Sequence, residues 1–417
     1  MTSRPAGNKP AALIIGGGAS GLAAACILSA NKVPFTLLEK ENKPGRKLLA
    51  TGNGRCNLLN FGPPAFFGDS GFAHSVLRRC GSDEVARFFE GLGLNIFEEE
   101  LGRAYPTTRQ AASVLDCLLA GIDAGGCGQL LTGSRVDRLT RAGGQWVAHC
   151  GQESHQAPRV VVASGGPAAP KLGGDDGMVR VLESLGQPAT PFSPSLCALT
   201  TQAGPIRGLA GQRVYARLWL YHGDSPVDAA AGELLYTQEG LSGLCAMQLA
   251  RAAQEGLQAG LPVSVGVDLS PLLNTCPVHM GRLDPHQQDP DSAQAALALL
   301  RARAQALGQR RMYTGLLPRA LADKVARLPI PQAAAWLTAL RLRVTGTRGF
   351  DHAQVAAGGL DCAWFEPHSL RSRLLDGLYA CGEALNVDGD TGGFNLLFAW
   401  ASGILAARDI VQDFKSM

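Results

Sequence analysis

Ala11-Ala12-Leu13-Ile14-Ile15-Gly16-Gly17-Gly18-Ala19-Ser20-Gly21 is an apolar run that ends in a cluster of glycines, and this stretch decides the fold. An Ala/Leu-rich stretch continues to Ala30, and a second apolar run, Phe35 to Leu38, ends at Glu39. The change from a short apolar run to helical spacing and back predicts a strand, a tight turn, a helix and a second strand. This order is typical of a parallel α/β sheet.

Three glycines in this stretch, Gly16, Gly18 and Gly21, have the spacing G-x-G-x-x-G. The first allows a tight turn, the second lets backbone approach a pyrophosphate, and the third lets the helix pack on the strand. The N–H groups that begin the helix then face the phosphates. Glu39 follows Gly21 by 18 residues, where an acid accepts hydrogen bonds from a ribose and disfavours a 2′-phosphate. The motif predicts a dinucleotide site and leaves FAD and NAD both open.

The C-terminal segment favours FAD. An apolar run from Gly377 to Gly382 predicts a strand, Glu383 follows it, and Gly392-Gly393-Phe394-Asn395 opens a predicted helix that ends at Asp413. In flavoproteins with two such segments the second strand returns beside the first, and the helix after it directs its positive N-terminus at the pyrimidine side of the flavin. Asp388, in the loop between them, either binds the ribityl chain or is a turn residue.

The segment Gly45 to Asn57 is too rich in glycine and charge to predict a strand or a helix. Two glycines flank Asn53, and Arg55 follows, which favours backbone N–H groups held for a flavin ring or a phosphate. The alternative is a solvated surface turn. We therefore expect this segment to wrap the cofactor.

Length and composition indicate a globular protein of two or three domains, with 417 residues, 46% hydrophobic and 18% charged. The 11 cysteines are odd in number, with no Cys-x-x-Cys pair and no Cys/His cluster at zinc spacing. We expect free thiols, no metal site and a cytoplasmic location. The N-terminus lacks the apolar run of a secretory signal, and Leu396 to Ala407 is shorter than the roughly 18 residues of a membrane span, so no membrane partner is expected.

The residue pattern along the chain predicts an α/β fold. In it a Rossmann-like FAD-binding domain is built from both chain ends, residues 1–192 and 345–417. Alternating stretches such as Ala216 to Tyr221 and Val263 to Asp268 predict an inserted β-barrel-like domain over residues 193–275. An Ala/Leu/Arg-rich region, Pro290 to Ala339, predicts a helical subdomain of the insert over residues 276–344.

These motifs together resemble the bacterial BaiN/RdsA, or aminoacetone-oxidase-like, family of FAD-dependent oxidoreductases. The resemblance rests on Gly16 to Gly21 with Glu39, Gly45 to Asn57, Tyr105-Pro106-Thr107, Gly165-Gly166-Pro167 with Lys171, Gly232-Glu233-Leu234-Leu235-Tyr236-Thr237, Gly240-Leu241-Ser242-Gly243, Gly382-Glu383, Val387-Asp388-Gly389 and Thr391-Gly392-Gly393-Phe394-Asn395. It implies the same three-part fold. It also implies reduction of a carbon–carbon double bond conjugated to a carbonyl, in steroid-like enones or in uracil of ribosomal RNA. In that chemistry a hydride passes from flavin N5 to the β carbon and an acid protonates the α carbon.

The electron donor is left open by the sequence. No second G-x-G-x-x-G with its own strand and helix is present, so NAD(P)H would dock transiently or a protein would supply the electrons. A function of another class, electron transfer or redox sensing on a bound flavin, stays open, although an insert of this length favours a substrate cavity. For the proton donor we predict Cys56, whose pKa falls if Arg46, Lys47 and Arg55 are close. The alternative is a packing cysteine.

A basic stretch of the chain bears on whether the substrate is RNA or a small molecule. Between Arg301 and Arg348 ten basic residues stand against one acid, Asp323. Such a stretch favours contacts to RNA phosphates, and the alternative is a solvated helix face. Tyr313 and Trp336 are the aromatic residues there that could stack on bases. If RNA is not bound, a small-molecule enone is the expected substrate; the oligomeric state is not predicted.

The predicted site residues therefore fall into three groups. The predicted RNA contacts are Arg301, Arg303, Arg310 and Arg311, and the predicted catalytic residue is Cys56. The predicted cofactor-binding residues are Gly16, Gly18, Ala19, Ser20, Gly21, Glu39, Lys40, Arg46, Lys47, Gly52, Asn53, Gly54, Arg55, Asn57, Gly165, Gly382, Glu383, Asp388, Gly392, Gly393, Phe394 and Asn395.

Overall fold

The structure is a computed structural model that describes residues 9–273, 280–287 and 291–416. The chain forms two compact units: unit 1 is Met1–Phe192 with Val355–Met417, and unit 2 is Ser193–Gln354. The predicted assembly of one domain from both chain ends is confirmed. The predicted boundary between residues 275 and 276 lies outside the described residues, and the division of the insert into two parts stays a prediction.

The described part of the chain contains the following elements. The strands are β1 (Ala12–Ile15), β2 (Phe35–Leu38), β3 (Leu59–Asn60), β4 (Phe66–Gly68), β5 (Ile96–Glu98), β6 (Arg103–Pro106), β7 (Gly128–Leu131), β8 (Arg138–Ala142), β9 (Gln145–Cys150), β10 (Glu153–Ala157), β11 (Arg159–Val162), β12 (Ala189–Ser195), β13 (Leu199–Thr201), β14 (Arg213–His222), β15 (Ser225–Tyr236), β16 (Gly240–Ser242), β17 (Val263–Asp268), β18 (Gly281–Arg282), β19 (Leu340–Thr347), β20 (Val355–Leu360), β21 (Leu378–Ala380) and β22 (Val387–Gly389). The helices are α1 (Ala19–Ala30), α2 (Arg46–Ala50), α3 (Ser70–Leu77), α4 (Ser82–Gly91), α5 (Ala111–Gly125), α6 (Gly177–Ser184), α7 (Leu244–Gln248), α8 (Ala250–Gln258), α9 (Ser270–Leu273), α10 (Ser292–Leu307), α11 (Arg319–Val325), α12 (Ile330–Ala339) and α13 (Phe394–Lys415).

Unit 1 is organised around a five-stranded parallel sheet in the order β21-β11-β1-β2-β7. All four residues of β1, β2 and β11 are buried, so both faces of the sheet are covered. Helix α1 packs on β1 and β2, while the antiparallel meander β8-β9-β10 contacts β1 and β11. Continuous burial explains why these strands are apolar runs without alternation.

Helix α13 packs along α1 and completes the core of unit 1. Gly403 allows this close packing, because a Cβ there would lie 2.2 Å from the backbone oxygen of Ser20. By length and composition α13 is apolar enough to cross a membrane, but its most apolar stretch is 72% buried within the protein. Its apolar character is therefore that of a core helix.

Unit 2 contains a closed antiparallel barrel. Six strands follow the order β14-β17-β19-β13-β16-β15, and pairing of β15 with β14 closes the ring. Strand β18 adds to β15 outside this ring. Helices α10 and α12 pack on each other, and α12 packs on β17. The predicted β-barrel-like insert with helices is confirmed.

The end of the insert was predicted wrongly. Residues 340–344 were assigned to the helical subdomain and residues from 345 to the FAD-binding domain, but Leu340–Thr347 is the barrel strand β19. Leu342 and Val344 are buried while Arg341 and Arg343 are exposed, which is the alternation of a half-buried strand. The chain therefore returns to unit 1 only at Val355.

Candidate functional site

The predicted glycine turn joins β1 to α1. Gly16 has φ +107°, and a Cβ there would lie 2.4 Å from the Ala163 oxygen. At Gly21 a Cβ would lie 2.0 Å from the Gly16 oxygen, so this glycine permits the close packing of helix on turn. Around Gly18, in contrast, a Cβ would meet no atom of the described residues within 4 Å apart from those of its immediate chain neighbours. The start of α1 therefore has open space at the position where a pyrophosphate needs close backbone approach.

Glu39 lies at the carboxyl end of β2 and is buried. Its Oε2 accepts a hydrogen bond from the Gly17 N–H at 2.6 Å, and its Oε1 accepts one from the Glu41 N–H at 2.7 Å. A carboxylate accepts about four hydrogen bonds, so this geometry orients Glu39 and leaves acceptor capacity for a ribose. The neighbouring Lys40 pairs with Asp175, and burial lowers the pKa of its ammonium group.

The second predicted segment returns beside the first. Strand β21 pairs in parallel with β11, and Gly382 follows it with φ +66°. A Cβ on Gly382 would lie 2.8 Å from Ser20 Oγ, in the first turn of α1. The Gly382 N–H donates to Ser402 Oγ at 3.0 Å, which ties the loop to α13. The structure thus brings the loop after β21 against the start of α1.

Glu383 connects four segments of unit 1. Its Oε2 lies 2.5 Å from Lys47 Nζ on α2 and accepts a hydrogen bond from the Gly166 N–H at 3.3 Å. Its Oε1 accepts one from the Ala356 N–H on β20 at 2.8 Å. The predicted site residues include Glu383 and Lys47, but Gly165 in place of its neighbour Gly166, and Ala356 was missed, because no local pattern relates such distant residues.

The segment Gly45 to Asn57 differs from its prediction in one respect. Residues Arg46–Ala50 form the short helix α2, where neither helix nor strand was expected. Gly45 begins it with φ +73°, and the buried Leu48 anchors it while α2 packs on α5. A helix of five residues is too short to show the apolar period by which helices are predicted from sequence.

The second half of this segment is a loop with left-handed backbone. Gly52, Asn53 and Gly54 have φ of +57°, +55° and +84°, a region that asparagine tolerates better than most side chains. The Arg55 guanidinium lies 5.2 Å from the centre of the Tyr105 ring. Arg46 pairs with Glu41, so its charge is already partnered.

Cys56 does not have the environment predicted for a proton donor. Its side chain is fully buried in the core of unit 1, and burial raises the pKa of its thiol to about 12. A hydrogen bond with Thr51 opposes this shift only in part. The predicted fall in pKa is wrong, because the neighbouring cations do not offset the loss of solvation. The packing alternative is favoured.

The loop before α13 is shaped by its own side chains. Asn395 Oδ1 accepts from the Gly389 N–H and its Nδ2 donates to the Gly389 oxygen, both at 2.8 Å. Gly392 and Gly393 both have φ +106°, and Phe394 begins the helix. Asp388 is buried on β22, opposite Phe67 of β4. The predicted residues of this loop therefore lie together at the N-terminus of α13.

Two asparagines after the left-handed loop also reach this helix start. Asn60 Nδ2 donates to the Gly392 oxygen at 2.8 Å, and sequence reasoning missed this residue. Asn57 Oδ1 is buried and has no hydrogen-bond partner among the described residues. A Cβ on Gly393 would lie 2.8 Å from that oxygen. Open space at Gly18 and an unpartnered acceptor beside α13 both fit a bound FAD.

The predicted RNA contacts in unit 2 do not share one environment. Arg301, Arg310 and Arg311 are exposed and have no side-chain partner in the described ranges. The Arg303 guanidinium instead donates to the Met312 oxygen at 2.6 Å and the Thr314 oxygen at 2.8 Å. It fixes the turn after α10, and its assignment as a phosphate contact stays a prediction.

Other members of the basic stretch are also engaged. Arg341 lies 3.4 Å from Asp224, and Arg348 lies 3.1 Å from Glu239. Tyr313 is buried, so it cannot stack on a base as predicted. The surface charge of this region is therefore smaller than its composition indicates.

The fold and the site define the class: this is an FAD-dependent oxidoreductase with a Rossmann-like cofactor domain. The chain belongs to the HI0933-like protein Rossmann domain family, whose model matches residues 10–409. The family resemblance inferred from the motifs is confirmed.

Three relatives are similar over nearly their whole length. A 3-dehydro-bile acid delta(4,6)-reductase of Clostridium scindens is 34% identical, with 95% of this chain and 97% of the relative covered. A ribosomal RNA dihydrouridine synthase of Escherichia coli is 26% identical, with 97% and 99% covered. The enzyme of the same name from Haemophilus influenzae is 26% identical, with 96% and 98% covered.

Proposed function

We propose that this chain reduces a carbon–carbon double bond conjugated to a carbonyl, with FAD as its cofactor. The observation that carries the proposal is the similarity, over nearly the full chain, to relatives named for one kind of chemistry. A delta(4,6)-reductase of a 3-dehydro bile acid and a dihydrouridine synthase both saturate a double bond of this kind. The shared reaction is therefore better supported than either substrate.

Different residues of the chain have different roles in such a reaction. Once reduced by an electron donor, bound FAD would supply the hydride for the β carbon, and a proton must reach the α carbon. The turn at Gly18 and the start of α1 bind the phosphates, and Glu39 binds the adenosine ribose. Glu383 and Lys47 hold together the loops that enclose the cofactor. Burial raises the pKa of the Cys56 thiol, which makes it a weaker acid and favours its packing role over proton transfer.

We also propose a reduced nicotinamide nucleotide as electron donor and a cytoplasmic location. Both proposals are argued from the state of the cysteines, since the sequence has no second dinucleotide-binding motif. The ten cysteines of the described residues are all free thiols, which suits a reducing compartment where NAD(P)H is available. The donor would dock transiently beside the flavin.

A small-molecule enone is the first candidate substrate. It is favoured by the 34% identity to the bile acid reductase. Two residues of unit 2 that were expected to contact RNA also favour the enone. Arg303 donates hydrogen bonds to backbone oxygens, and Tyr313 is buried. Uracil in ribosomal RNA is the second candidate, because Arg301, Arg310 and Arg311 remain exposed.

One experiment separates these possibilities. The purified protein is reduced without oxygen and mixed with a steroid-like enone, with uracil-containing ribosomal RNA, or with buffer, and the return of oxidised-flavin absorbance is followed. Rapid reoxidation by the enone supports the first candidate, and reoxidation by RNA alone supports the second. If neither reoxidises the flavin faster than buffer, the reductase proposal fails and the electron-transfer class takes its place.

A further inference from the structure

Asn57 carries a buried acceptor that the described part of the chain does not use. Its Oδ1 has no hydrogen-bond partner within the described ranges. Buried carbonyl oxygens are nearly always hydrogen-bonded, because an unpaired one loses its bond to water without replacement. This oxygen is therefore placed for a donor outside the polypeptide.

The position of this acceptor is fixed by its neighbours. The Cys56 N–H donates to the Thr51 oxygen at 3.0 Å, and the Leu58 N–H donates to the Ala104 oxygen at 2.8 Å. On the other side of Leu58, its oxygen accepts a hydrogen bond from Trp400 Nε1 at 2.9 Å. The backbone around Asn57 is thus anchored on both sides.

The acceptor lies at the start of α13. Gly393 precedes the helix with φ +106°, and a Cβ there would come within 2.8 Å of Asn57 Oδ1. Helix α13 is 22 residues long, so its first N–H groups and its partial positive charge favour carbonyl oxygens or negative charge. Helix donors and one side-chain acceptor therefore lie side by side.

This set complements one edge of an oxidised flavin. The pyrimidine edge of the isoalloxazine presents carbonyl oxygens on both sides of a single N–H, at N3, which is the only ring N–H of the oxidised form. We infer that Asn57 Oδ1 accepts the hydrogen bond of flavin N3–H and positions the pyrimidine edge at the start of α13. The inference rests on the proposed use of FAD and does not depend on the substrate.

Asn60 provides a matched control three residues away. Its Nδ2 donates to the Gly392 oxygen at 2.8 Å, and its Oδ1 accepts from the Gly62 N–H at 2.7 Å. Both ends of this amide are engaged within the protein. A substitution of Asn60 therefore removes hydrogen bonds within the loop, whereas a substitution of Asn57 removes only the proposed hydrogen bond to the flavin.

The test compares FAD with 3-methyl-FAD, in which the N3–H is replaced by a methyl group. Full-length protein stripped of flavin is titrated with each, and quenching of flavin fluorescence gives the Kd. Wild type is expected to bind 3-methyl-FAD about tenfold more weakly than FAD. Asn57→Leu is expected to bind the two equally, and Asn60→Ala is expected to keep the wild-type ratio.

A second variant gives a readout in the redox potential. Asn57→Asp keeps an acceptor but adds negative charge, so it is expected to keep the preference for FAD and to lower the midpoint potential of the bound flavin. Equal binding of the two flavins by wild type overturns the inference, and so does an unchanged ratio in Asn57→Leu. Because no substrate is added, failure of the proposed reduction leaves this test intact.

Discussion

Lys47 Nζ lies 2.5 Å from Glu383 Oε2 and joins two segments that are 336 residues apart in the chain. Both side chains are partly buried, at 33% and 18% exposure. The same carboxylate accepts hydrogen bonds from the N–H groups of Gly166 and Ala356. This pair links the N-terminal and C-terminal parts of the cofactor domain.

Removing the charge of Glu383 is expected to weaken cofactor binding. In Glu383→Gln the pair with Lys47 is lost, and we expect the free energy of unfolding to fall by about 1 kcal/mol and the affinity for FAD to fall about tenfold. Denaturant unfolding and flavin titration measure the two effects. Arg87→Gln, which breaks an exposed pair with Glu84, is the control and should change neither. Unchanged affinity in Glu383→Gln would show that the pair does not support the site.

Substitutions of two glycines in the turn are expected to have different effects, one on FAD binding and the other on stability. Gly18 has extended backbone and open space, so Gly18→Val should abolish FAD binding while changing stability by no more than about 1 kcal/mol. In Gly21→Ala the new Cβ meets the Gly16 oxygen, so stability should fall by about 2 to 3 kcal/mol. Flavin content and thermal unfolding distinguish the two. A Gly18→Val protein that retains FAD would contradict the placement of the pyrophosphate.

Cys56 is expected to matter for stability at alkaline pH and not for catalysis. Burial raises the pKa of its thiol to about 12 from an ordinary value of 9.0, so the folded protein holds the proton more tightly than the unfolded chain. This stabilisation is present below pH 9 and is lost as pH rises toward 12. Wild type should therefore lose more stability than Cys56→Ser between pH 8 and pH 10, by up to about 1.4 kcal/mol per pH unit above the unfolded pKa. Equal losses, or loss of turnover in Cys56→Ser at neutral pH, would refute this description.

The exposed arginines decide whether RNA is a substrate. If it is, replacing Arg301, Arg310 and Arg311 with Gln should weaken RNA binding and reduce its salt slope by up to about 0.7 to 0.9 per lost contact. Arg303→Gln should destabilise unit 2 and leave the salt slope unchanged, because its guanidinium binds backbone oxygens. Binding at several salt concentrations measures both. Identical slopes in wild type and the triple variant would exclude these arginines from RNA recognition and favour the enone.

The sequence predicted what depends on local patterns. The strand, turn and helix around Gly16 to Gly21 could be predicted because each glycine acts on residues near it in the chain. Strand β19 was missed because Arg341 and Arg343 were counted with the arginines of the helices, although they alternate with buried residues. For Cys56 the sequence left a proton donor and a packing cysteine both open, because nearby charges in sequence do not show where a side chain points. The Lys47–Glu383 pair likewise depends on tertiary folding alone.

Single-turnover product analysis tests the central claim most directly. The flavin-reduced protein is mixed without oxygen with a steroid-like enone in D2O, and the product is measured by mass spectrometry against the flavin reoxidised. The proposed reaction predicts one saturated product per flavin reoxidised, with solvent deuterium at the α carbon and, because the N5–H of reduced flavin exchanges with D2O, at the β carbon as well. Reoxidation of the flavin without saturated product, for the enone and for ribosomal RNA alike, would contradict it.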